Sequence, residues 1–223
     1  MLWSGGFDST LVLAQRAKHS SRENPVLAIS VKHQELGDDK WTMEQKAREK
    51  LLEVFKKRGY YVKHYIIEIK AHESGNPNNW LVSKRGESLY QPAWWLCYFL
   101  DFLKDGDKLY LGYHVSDGFW VLNQHYIDTF QSACKLMGKK CEIHFPLKIW
   151  TKERIIRELR KEKLFNLCWT CEIPQKGKPC NECEPCNDLR ITLSEIERGD
   201  RVGRKGSGDE THSGTIVAIC GCV

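Results

Sequence analysis

The chain has 223 residues, of which 41% are hydrophobic, and it carries a formal net charge of +5. This length suits one substantial hydrophobic core, since domains usually hold about 100–200 residues. No apolar run approaches the roughly 20 residues that span a bilayer, and the first residues lack the pattern of a secretion signal. We therefore expect a soluble, cytoplasmic protein without a membrane partner, and the mild positive charge is weak evidence for nucleic-acid binding.

The most informative stretch is SGGFDST at residues 4–10, which lies between a short apolar segment and a helix-forming run. Two adjacent glycines let the backbone approach an anion closely, and the helix that follows turns free N–H groups toward the loop. The hydroxyl groups of Ser4, Ser9 and Thr10 add further donors. A Walker loop would need Gly-Lys-Ser or Gly-Lys-Thr, and the sequence contains neither. The stretch therefore predicts a phosphate-binding loop of another kind.

The elements that follow alternate between strands and helices. The apolar run at 26–31 predicts a strand buried on both faces. Thr42 and Gln45 have the spacing of a capping box, so a helix is expected to begin there and to end at Gly59. Further strands are predicted at 61–69, 108–115 and 141–145, and further helices at 92–103, at 126–137 and after a cap at Thr151. With a first strand at 1–3, this order predicts a doubly wound, mostly parallel, five-stranded α/β sheet.

Polar residues and a glycine follow two of these predicted strands. His33 follows the strand at 26–31, and Gly112 and Asp117 lie at or just beyond the carboxyl end of the strand at 108–115. Open α/β sheets bind their ligands at this edge. These three residues are therefore candidates for the ligand site by position.

A second motif is a crowd of cysteines, since five of the ten cysteines lie between Cys168 and Cys186. Such crowding indicates a metal site in a reducing compartment more than a set of disulfides. Cys-x-x-Cys turns place neighbouring sulfurs about 4 Å apart, and four thiolates suit a closed tetrahedral Zn²⁺ site. An iron–sulfur cluster and a redox pair are the alternatives.

The loop at 4–10 resembles the SGGxDS signature of the PP-loop ATP pyrophosphatases, a Rossmann-like family that splits ATP into AMP and pyrophosphate. The resemblance implies that Ser4, Gly5, Gly6, Phe7, Asp8, Ser9 and Thr10 hold the pyrophosphate end of ATP, with Mg²⁺ near Asp8 and with Asp8 and Ser9 as catalytic residues. The loop alone also fits argininosuccinate synthetases, tRNA thiolases and lysidine ligases.

Together with the sequence from Trp169 to Arg190, the loop is similar to the 7-cyano-7-deazaguanine synthase (QueC-like) family or a divergent offshoot of it. Members end in a Trp-Ser/Thr-Cys segment, a spacer and Cys-x-x-Cys-x-x-Cys. The resemblance therefore implies Zn²⁺ held by Cys171, Cys180, Cys183 and Cys186. Cys168 is then a small buried residue, with a nucleophilic or sulfur-carrying thiol as the alternative. The resemblance also implies a nucleotide contact for Arg85.

The family adenylates the carboxylate of 7-carboxy-7-deazaguanine with ATP and lets ammonia displace AMP, which gives an amide and then the 7-cyano base of queuosine biosynthesis. Segments where the family contacts its base differ here, at 85–86, 116–120 and 172–174. Two alternatives therefore stay open: an offshoot that joins the deazaguanine to an amine of a protein acceptor in antiviral defence, and a PP-loop tRNA-thiolating enzyme.

The same resemblance suggests an organisation for the whole chain. We expect a PP-loop domain at 1–165, a zinc-knuckle segment packed on it at 166–199, and a linker with a short apolar tail at 200–223. A homodimer is compatible with this arrangement.

Overall fold

The structure of the protein is a computed structural model that describes residues 1–33, 38–69, 96 and 99–205. At positions 33, 38, 69 and 201–205 it describes the backbone alone. Several predictions concern residues outside these ranges, namely those for Arg85, for most of the helix expected at 92–103 and for the apolar tail. Among the described residues, no helix is both long and apolar enough to cross a membrane.

Helices and strands alternate along the chain, as an α/β fold requires. The strands are β1 (Val26–His33), β2 (Val62–Ile69), β3 (Lys108–Tyr110) and β4 (Glu142–His144). The helices are α1 (Phe7–Ala17), α2 (Asp38–Lys57), α3 (Asn123–Leu136), α4 (Lys152–Lys161) and α5 (Glu184–Lys205). Short 3₁₀ turns occupy Gly118–Val121 and Phe165–Leu167.

The strands pair in parallel. β1 pairs with β2 over its full length, and β3 pairs with β4. The predicted first strand forms a single parallel bridge between Leu2 and Ile29, in which Ile29 N–H donates to Met1 O at 2.8 Å. Among the described residues the hydrogen bonds form two separate pairs of strands, so the predicted five-stranded sheet is only partly seen. The parallel direction brings the carboxyl ends of neighbouring strands to one edge, where the loop at 4–10 begins.

Most element boundaries differ from the sequence prediction by a few residues, and three of the differences are informative. Thr42 lies inside α2, which already begins at Asp38, so its predicted role as a capping residue was wrong. Trp41, the residue before it, packs against Arg48 of the same helix. Regular pairing in β3 ends at Tyr110, because the chain then turns to pack against α1. Helix α5 continues to Lys205, past the position where a linker was expected.

Two hydrophobic clusters lie on either side of β1. Side chains of a strand point alternately to opposite faces, and accordingly Ala28 belongs to the first cluster and Ile29 to the second. The first cluster surrounds α1 and includes residues of α2 and α4, whereas the second contains Phe99, Leu109 and Phe130. The two faces of β1 are thus both covered, which explains its uninterrupted apolar sequence.

A half-buried histidine, His64, joins the first residues of the chain to the paired strands. Ser30 donates its hydroxyl hydrogen to Trp3 O at 2.5 Å, so His64 Nε2, at 2.8 Å from Ser30 Oγ, must be the donor of that bond. Burial, helped by the positive charge of Arg48, lowers the pKa of His64 to about 4. Because an unfolded histidine has a pKa near 6.5, the neutral imidazole is the form that stabilises the fold.

We expect His64 to make stability depend on pH. Above about pH 6.5 His64 is neutral in both the folded and the unfolded state. As the pH falls toward 4, His64 becomes protonated in the unfolded chain but stays neutral in the folded one, which lowers the free energy of unfolding by at most about 3 kcal/mol. Urea unfolding of the wild type should therefore show a free energy of unfolding that decreases as the pH is lowered from about 7.5 to about 4.5. His64→Gln keeps the hydrogen-bond donor and should make this free energy depend less on pH. Identical slopes for the two proteins would contradict this assignment.

Candidate active site

The loop at 4–9 is closed by its own serines. Ser4 Oγ accepts the N–H of Gly6 at 3.2 Å, and Ser9 Oγ accepts the N–H of Ser4 at 3.3 Å. Gly5 has a φ of +91°, a conformation that side chains rarely adopt, and a Cβ there would lie 3.1 Å from Arg48 Cγ. Both the backbone angle and the neighbouring helix therefore require glycine at this position.

The loop leads into α1 so that the helix begins with free N–H groups. Gly6 is the capping residue, and Thr10 N–H donates to Gly6 O at 3.1 Å. Within the described part of the chain, the N–H groups of Phe7 and Asp8 have no hydrogen-bond partner. Free N–H groups and the positive end of the helix dipole together attract anions. The arrangement suits a phosphate group.

Charged side chains surround this helix end. Lys152 Nζ lies 2.9 Å and 2.7 Å from the two carboxylate oxygens of Asp8. Lys152 is the first residue of α4, whose capping residue Thr151 accepts the N–H of Arg154, as predicted. Burial raises the pKa of Asp117, and the hydrogen bond from the N–H of His114 opposes this effect. The charge of Asp8 raises the pKa more weakly, and that of Lys152 lowers it. One cation and two carboxylates thus meet beside the loop.

The segment after β3 packs closely against the loop. A Cβ on Gly112 would lie 3.0 Å from Ser9 N, so only glycine fits between the strand end and α1. His114 N–H donates to Asp117 Oδ2 at 2.5 Å, and Ser116 N–H donates to His114 Nδ1 at 3.3 Å. The imidazole hydrogen therefore sits on Nε2, 3.5 Å from Asp117 Oδ1. These bonds fix the direction of the Asp117 carboxylate.

The predicted loop residues do not all face the same side. The structure brings Ser4, Asp8 and Ser9 together with Gly112 and Asp117 at one edge. Thr10 is fully buried and accepts a hydrogen bond from Trp3 Nε1 at 3.0 Å, so its hydroxyl faces the core. The Phe7 ring is also buried and stacks on Phe165 with centroids 5.0 Å apart. The backbone of His33 ends β1 at this edge, while its side chain and Arg85 lie outside the described residues.

The four predicted cysteine ligands form one cluster. The sulfur atoms of Cys171, Cys180, Cys183 and Cys186 all lie within 4.8 Å of one another. Cys171 Sγ lies 3.5 Å from that of Cys180 and 4.0 Å from that of Cys183, close to the roughly 3.8 Å edge of a tetrahedron with metal–sulfur bonds of about 2.3 Å. The donor set therefore fits a metal ion.

Backbone groups support the cluster. Cys180 N–H donates to Cys171 Sγ at 3.2 Å, and Cys183 N–H donates to Cys180 Sγ at 3.3 Å. The N–H groups of Glu182 and Cys183 lower the pKa of Cys180 to about 6. Thiolates, not thiols, bind metals, so these hydrogen bonds favour the ligating form of Cys180. A turn of this kind is a cysteine knuckle.

Cys168 stands apart from the knuckle. Its sulfur donates to Leu164 O at 3.4 Å, and burial raises its pKa to about 12. The side chain is then a protonated thiol at neutral pH. The residue is only partly buried, so the interpretation of Cys168 as a small buried residue stays a prediction.

The knuckle and the phosphate loop adjoin each other. Trp169 N–H donates to Gly5 O at 3.0 Å. A cavity of about 230 Å³ lies between the two features and is lined by Phe7, Trp169, Thr170, Asn181 and other residues. A metal at the knuckle and an anion at the loop would therefore occupy neighbouring positions in one site.

Comparison with known proteins agrees with this pairing of motifs. The chain matches the family described as Queuosine biosynthesis protein QueC over residues 1–196, a range that contains both the loop and the four cysteines. The chain belongs to the QueC family. It is 27% identical, over 213 residues, to the 7-cyano-7-deazaguanine synthase of Leptospira biflexa serovar Patoc, an alignment that covers 83% of this chain and 86% of that enzyme.

A solved structure gives the fold. The U34-tRNA thiolase NcsA from Methanococcus maripaludis, with its [4Fe-4S] cluster, superposes with a TM-score of 0.50 at 16% identity and covers 91% of this chain and 68% of its own. At this identity the likeness shows the fold alone, a PP-loop α/β fold with parallel strands. The QueC-family chain shares that fold and carries a four-cysteine knuckle on it.

Two residues of the site were missed by sequence reasoning. Lys152 was grouped with the mixed charges of 152–163, which are typical of a solvated helix face. The available signal was the position of Lys152 directly after a helix cap. The helix follows a parallel strand, so it begins at the ligand-binding edge of the sheet. Arg48 was missed because its partners lie on the phosphate loop and in α2, and no local pattern in the sequence reveals them.

We expect one metal ion per chain, bound by the knuckle. Cys183→Ser removes one of four thiolates and should reduce the metal content of the purified protein well below one per chain, with lower stability, since metal binding and folding of such a site are coupled. Elemental analysis after desalting provides the measurement. Cys141→Ser, a cysteine whose sulfur instead donates to Lys104 O, is the matched control and should retain the metal. Equal metal content in the two variants would contradict the site.

Proposed function

We propose that the protein is an ATP-dependent carbon–nitrogen ligase that adenylates the carboxylate of 7-carboxy-7-deazaguanine and transfers the acyl group to ammonia, giving the amide and then 7-cyano-7-deazaguanine. The observation that carries the proposal is the glycine loop at the start of α1, with Lys152 and Asp8 beside it. Membership of the QueC family and the likeness to a 7-cyano-7-deazaguanine synthase support the choice of substrate.

The loop would bind the pyrophosphate end of ATP. The N–H groups of Phe7 and Asp8 and the dipole of α1 would face the β- and γ-phosphates, and Lys152 would supply a positive charge. Asp8 and Asp117 are the described carboxylates suited to hold Mg²⁺, which prefers oxygen ligands. When bound, Mg²⁺ neutralises charge on the phosphates.

The reaction would begin with attack by the substrate carboxylate on the α-phosphorus of ATP. An oxygen–phosphorus bond forms, the bond to pyrophosphate breaks, and the products are an acyl-adenylate and pyrophosphate. Donors placed where negative charge develops on the departing pyrophosphate lower the barrier. Lys152 and the N–H groups of the loop are in a suitable position for this role.

The second step would use the acyl-adenylate as an acyl donor. A free carboxylate is a poor donor because it would have to expel oxide, whereas the acyl-adenylate expels AMP. Ammonia would attack the carbonyl carbon, AMP would leave with the bonding electrons, and the surplus proton would pass to solvent. The amide oxygen would then attack the α-phosphorus of a second ATP and release pyrophosphate. AMP would leave with that oxygen and the bonding electrons, and the two amide protons would pass to solvent, which gives the nitrile.

The knuckle would have a structural role. Zn²⁺ prefers four ligands in a closed tetrahedron at structural sites, and the four cysteines supply them all. No ligand position is then left for a substrate. We therefore propose Zn²⁺ as a stabilising ion, one that orders the segment against which the phosphate loop packs.

Sulfur transfer, the alternative chemistry of PP-loop enzymes, has less support. It needs a reactive thiolate, yet burial raises the pKa of Cys168 to about 12 and Cys171 belongs to the knuckle. The raised pKa disfavours the thiolate of Cys168, although this residue lines the cavity beside the knuckle. A ligase reaction requires no such thiol.

Exchange of labelled pyrophosphate into ATP, measured with the carboxylate substrate present, tests the loop. We expect Asp8→Ala to abolish exchange and Lys152→Met to slow it by about 100-fold or more, as found when a charge-stabilising donor is removed. Both variants should stay folded, because an ion pair at this degree of exposure contributes at most about 1 kcal/mol.

Lys161→Met is the matched control, since Lys161 lies on the same helix and its side chain is 75% exposed. It should exchange at the wild-type rate. Undiminished exchange in Asp8→Ala would remove Asp8 from the mechanism, and equal losses in the two lysine variants would remove Lys152.

Product analysis tests the substrate and the acceptor. We expect incubation with ATP, Mg²⁺ and 7-carboxy-7-deazaguanine to release AMP and, only with ammonium present, to give the amide and then the nitrile by mass spectrometry. Cys168→Ser should behave as the wild type. A mass increase on a protein without ammonium would replace ammonia by a protein amine as acceptor. Loss of turnover in Cys168→Ser would favour sulfur transfer, and ADP as sole nucleotide product would contradict a ligase of this class.

A further inference from the structure

Arg48 is a buried cation that contacts the phosphate loop. It lies on α2, and only 1% of its side chain is exposed. Its Nη1 donates to Ser4 O at 2.7 Å and to Glu44 Oε2 at 3.2 Å, and its guanidinium lies 4.2 Å from the centre of the Trp41 ring. A buried charge is costly unless it is paired and hydrogen-bonded, so these contacts hold the side chain in one geometry.

Arg48 contacts the loop at Ser4 and Gly5, where the orientation of the backbone N–H groups is determined. Ser4 O belongs to the peptide that enters the two glycines, and a Cβ on Gly5 would meet Arg48 Cγ at 3.1 Å and Glu44 O at 3.3 Å. The hydrogen bond therefore sets the orientation of the peptide after Ser4, while α2 limits how far Gly5 can move. Phosphate binding by backbone N–H groups depends on such orientation.

A row of ion pairs continues from Arg48 to the cysteine knuckle. Glu44 lies between Arg48 and Lys40, whose Nζ is 3.8 Å from Glu44 Oε1. Lys40 also pairs with Glu172, the residue that directly follows the metal ligand Cys171. Solvent screens the Lys40–Glu44 pair little, because both side chains are mostly buried, and it screens the Lys40–Glu172 pair in part, because Glu172 is 47% exposed. The row links the two features independently of the Trp169–Gly5 bond.

We propose that Arg48 is a positioning residue for the phosphate loop and that the Lys40–Glu172 pair couples its placement to the cysteine knuckle. The inference rests on the proposed function, in which the loop holds the phosphates of ATP. Nucleotide affinity then depends on Glu172, a residue outside the loop that follows a metal ligand.

Glu172→Gln tests the coupling. The substitution keeps the shape of the side chain and removes its charge. We expect the dissociation constant for Mg–ATP, measured by calorimetry on the metal-loaded full chain, to rise about two- to fivefold, as for loss of one partly screened pair. The metal content should be unchanged. Glu142→Gln, which breaks a pair with Lys108 on β3, is the matched control and should bind Mg–ATP as the wild type does.

Arg48→Lys tests the positioning role. Lysine keeps the charge, but its single ammonium cannot bind Ser4 O and Glu44 as Nη1 does and also Gln45 Oε1 as Nε and Nη2 do. We expect affinity for Mg–ATP about tenfold weaker than in the wild type, from loss of a charged hydrogen bond. The double variant with Glu172→Gln should bind no more weakly than Arg48→Lys alone, because both changes interrupt one row of contacts. Thermal unfolding of each variant, followed in parallel, measures any loss of stability.

The outcomes separate this inference from the proposed function. Wild-type protein that binds no Mg–ATP would contradict the proposed function. Wild-type binding together with unchanged affinity in Arg48→Lys, whether or not its melting temperature falls, would show a merely structural arginine and overturn the inference. Losses that multiply in the double variant, or an equal loss in Glu142→Gln, would overturn the coupling to the knuckle.

Discussion

The phosphate loop depends on being held from three directions at once. Arg48 binds the carbonyl of Ser4, the N–H of Trp169 binds the carbonyl of Gly5, and the segment after β3 touches α1 at Gly112. A loop rich in glycine loses much conformational freedom on ordering, and a short loop offers few contacts of its own to offset that loss. The three neighbours provide those contacts, so the loop has a defined shape that its own sequence does not ensure.

The charges of the site follow from the same packing. Asp8 lies in the first turn of α1, Lys152 begins α4, and Asp117 lies in the segment after β3, so each belongs to a different part of the chain. The parallel strands bring these element ends to one edge of the fold. Their juxtaposition is a property of the topology, and a small shift of any one element would change the distances between the charges.

Sequence reasoning located a feature correctly where a motif consists of neighbouring residues. The loop at 4–10 and the four cysteine ligands are short motifs with fixed spacing, and the structure brings the four sulfur atoms together as predicted. Reasoning failed where the signal is tertiary. Lys152 has a sequence context like that of the exposed cations around it, and the start of α2 was misplaced because Thr42 has capping-box spacing inside a longer helix. Only packing distinguishes these cases.

The division of the core by β1 has a consequence for the range of substrates this scaffold can serve. The loop, α4 and the residues beside the knuckle pack in one cluster, whereas Phe119 and the segment after β3 pack in the other. Side chains of the second cluster can change volume without disturbing the first, since the clusters lie on opposite faces of β1. The two sides of the sheet meet at the candidate active site, where Gly112 lies against Asp8 and Ser9. For the function proposed above, this division would let residues on one side of the sheet vary with the base or the acceptor while the loop on the other side stays the same.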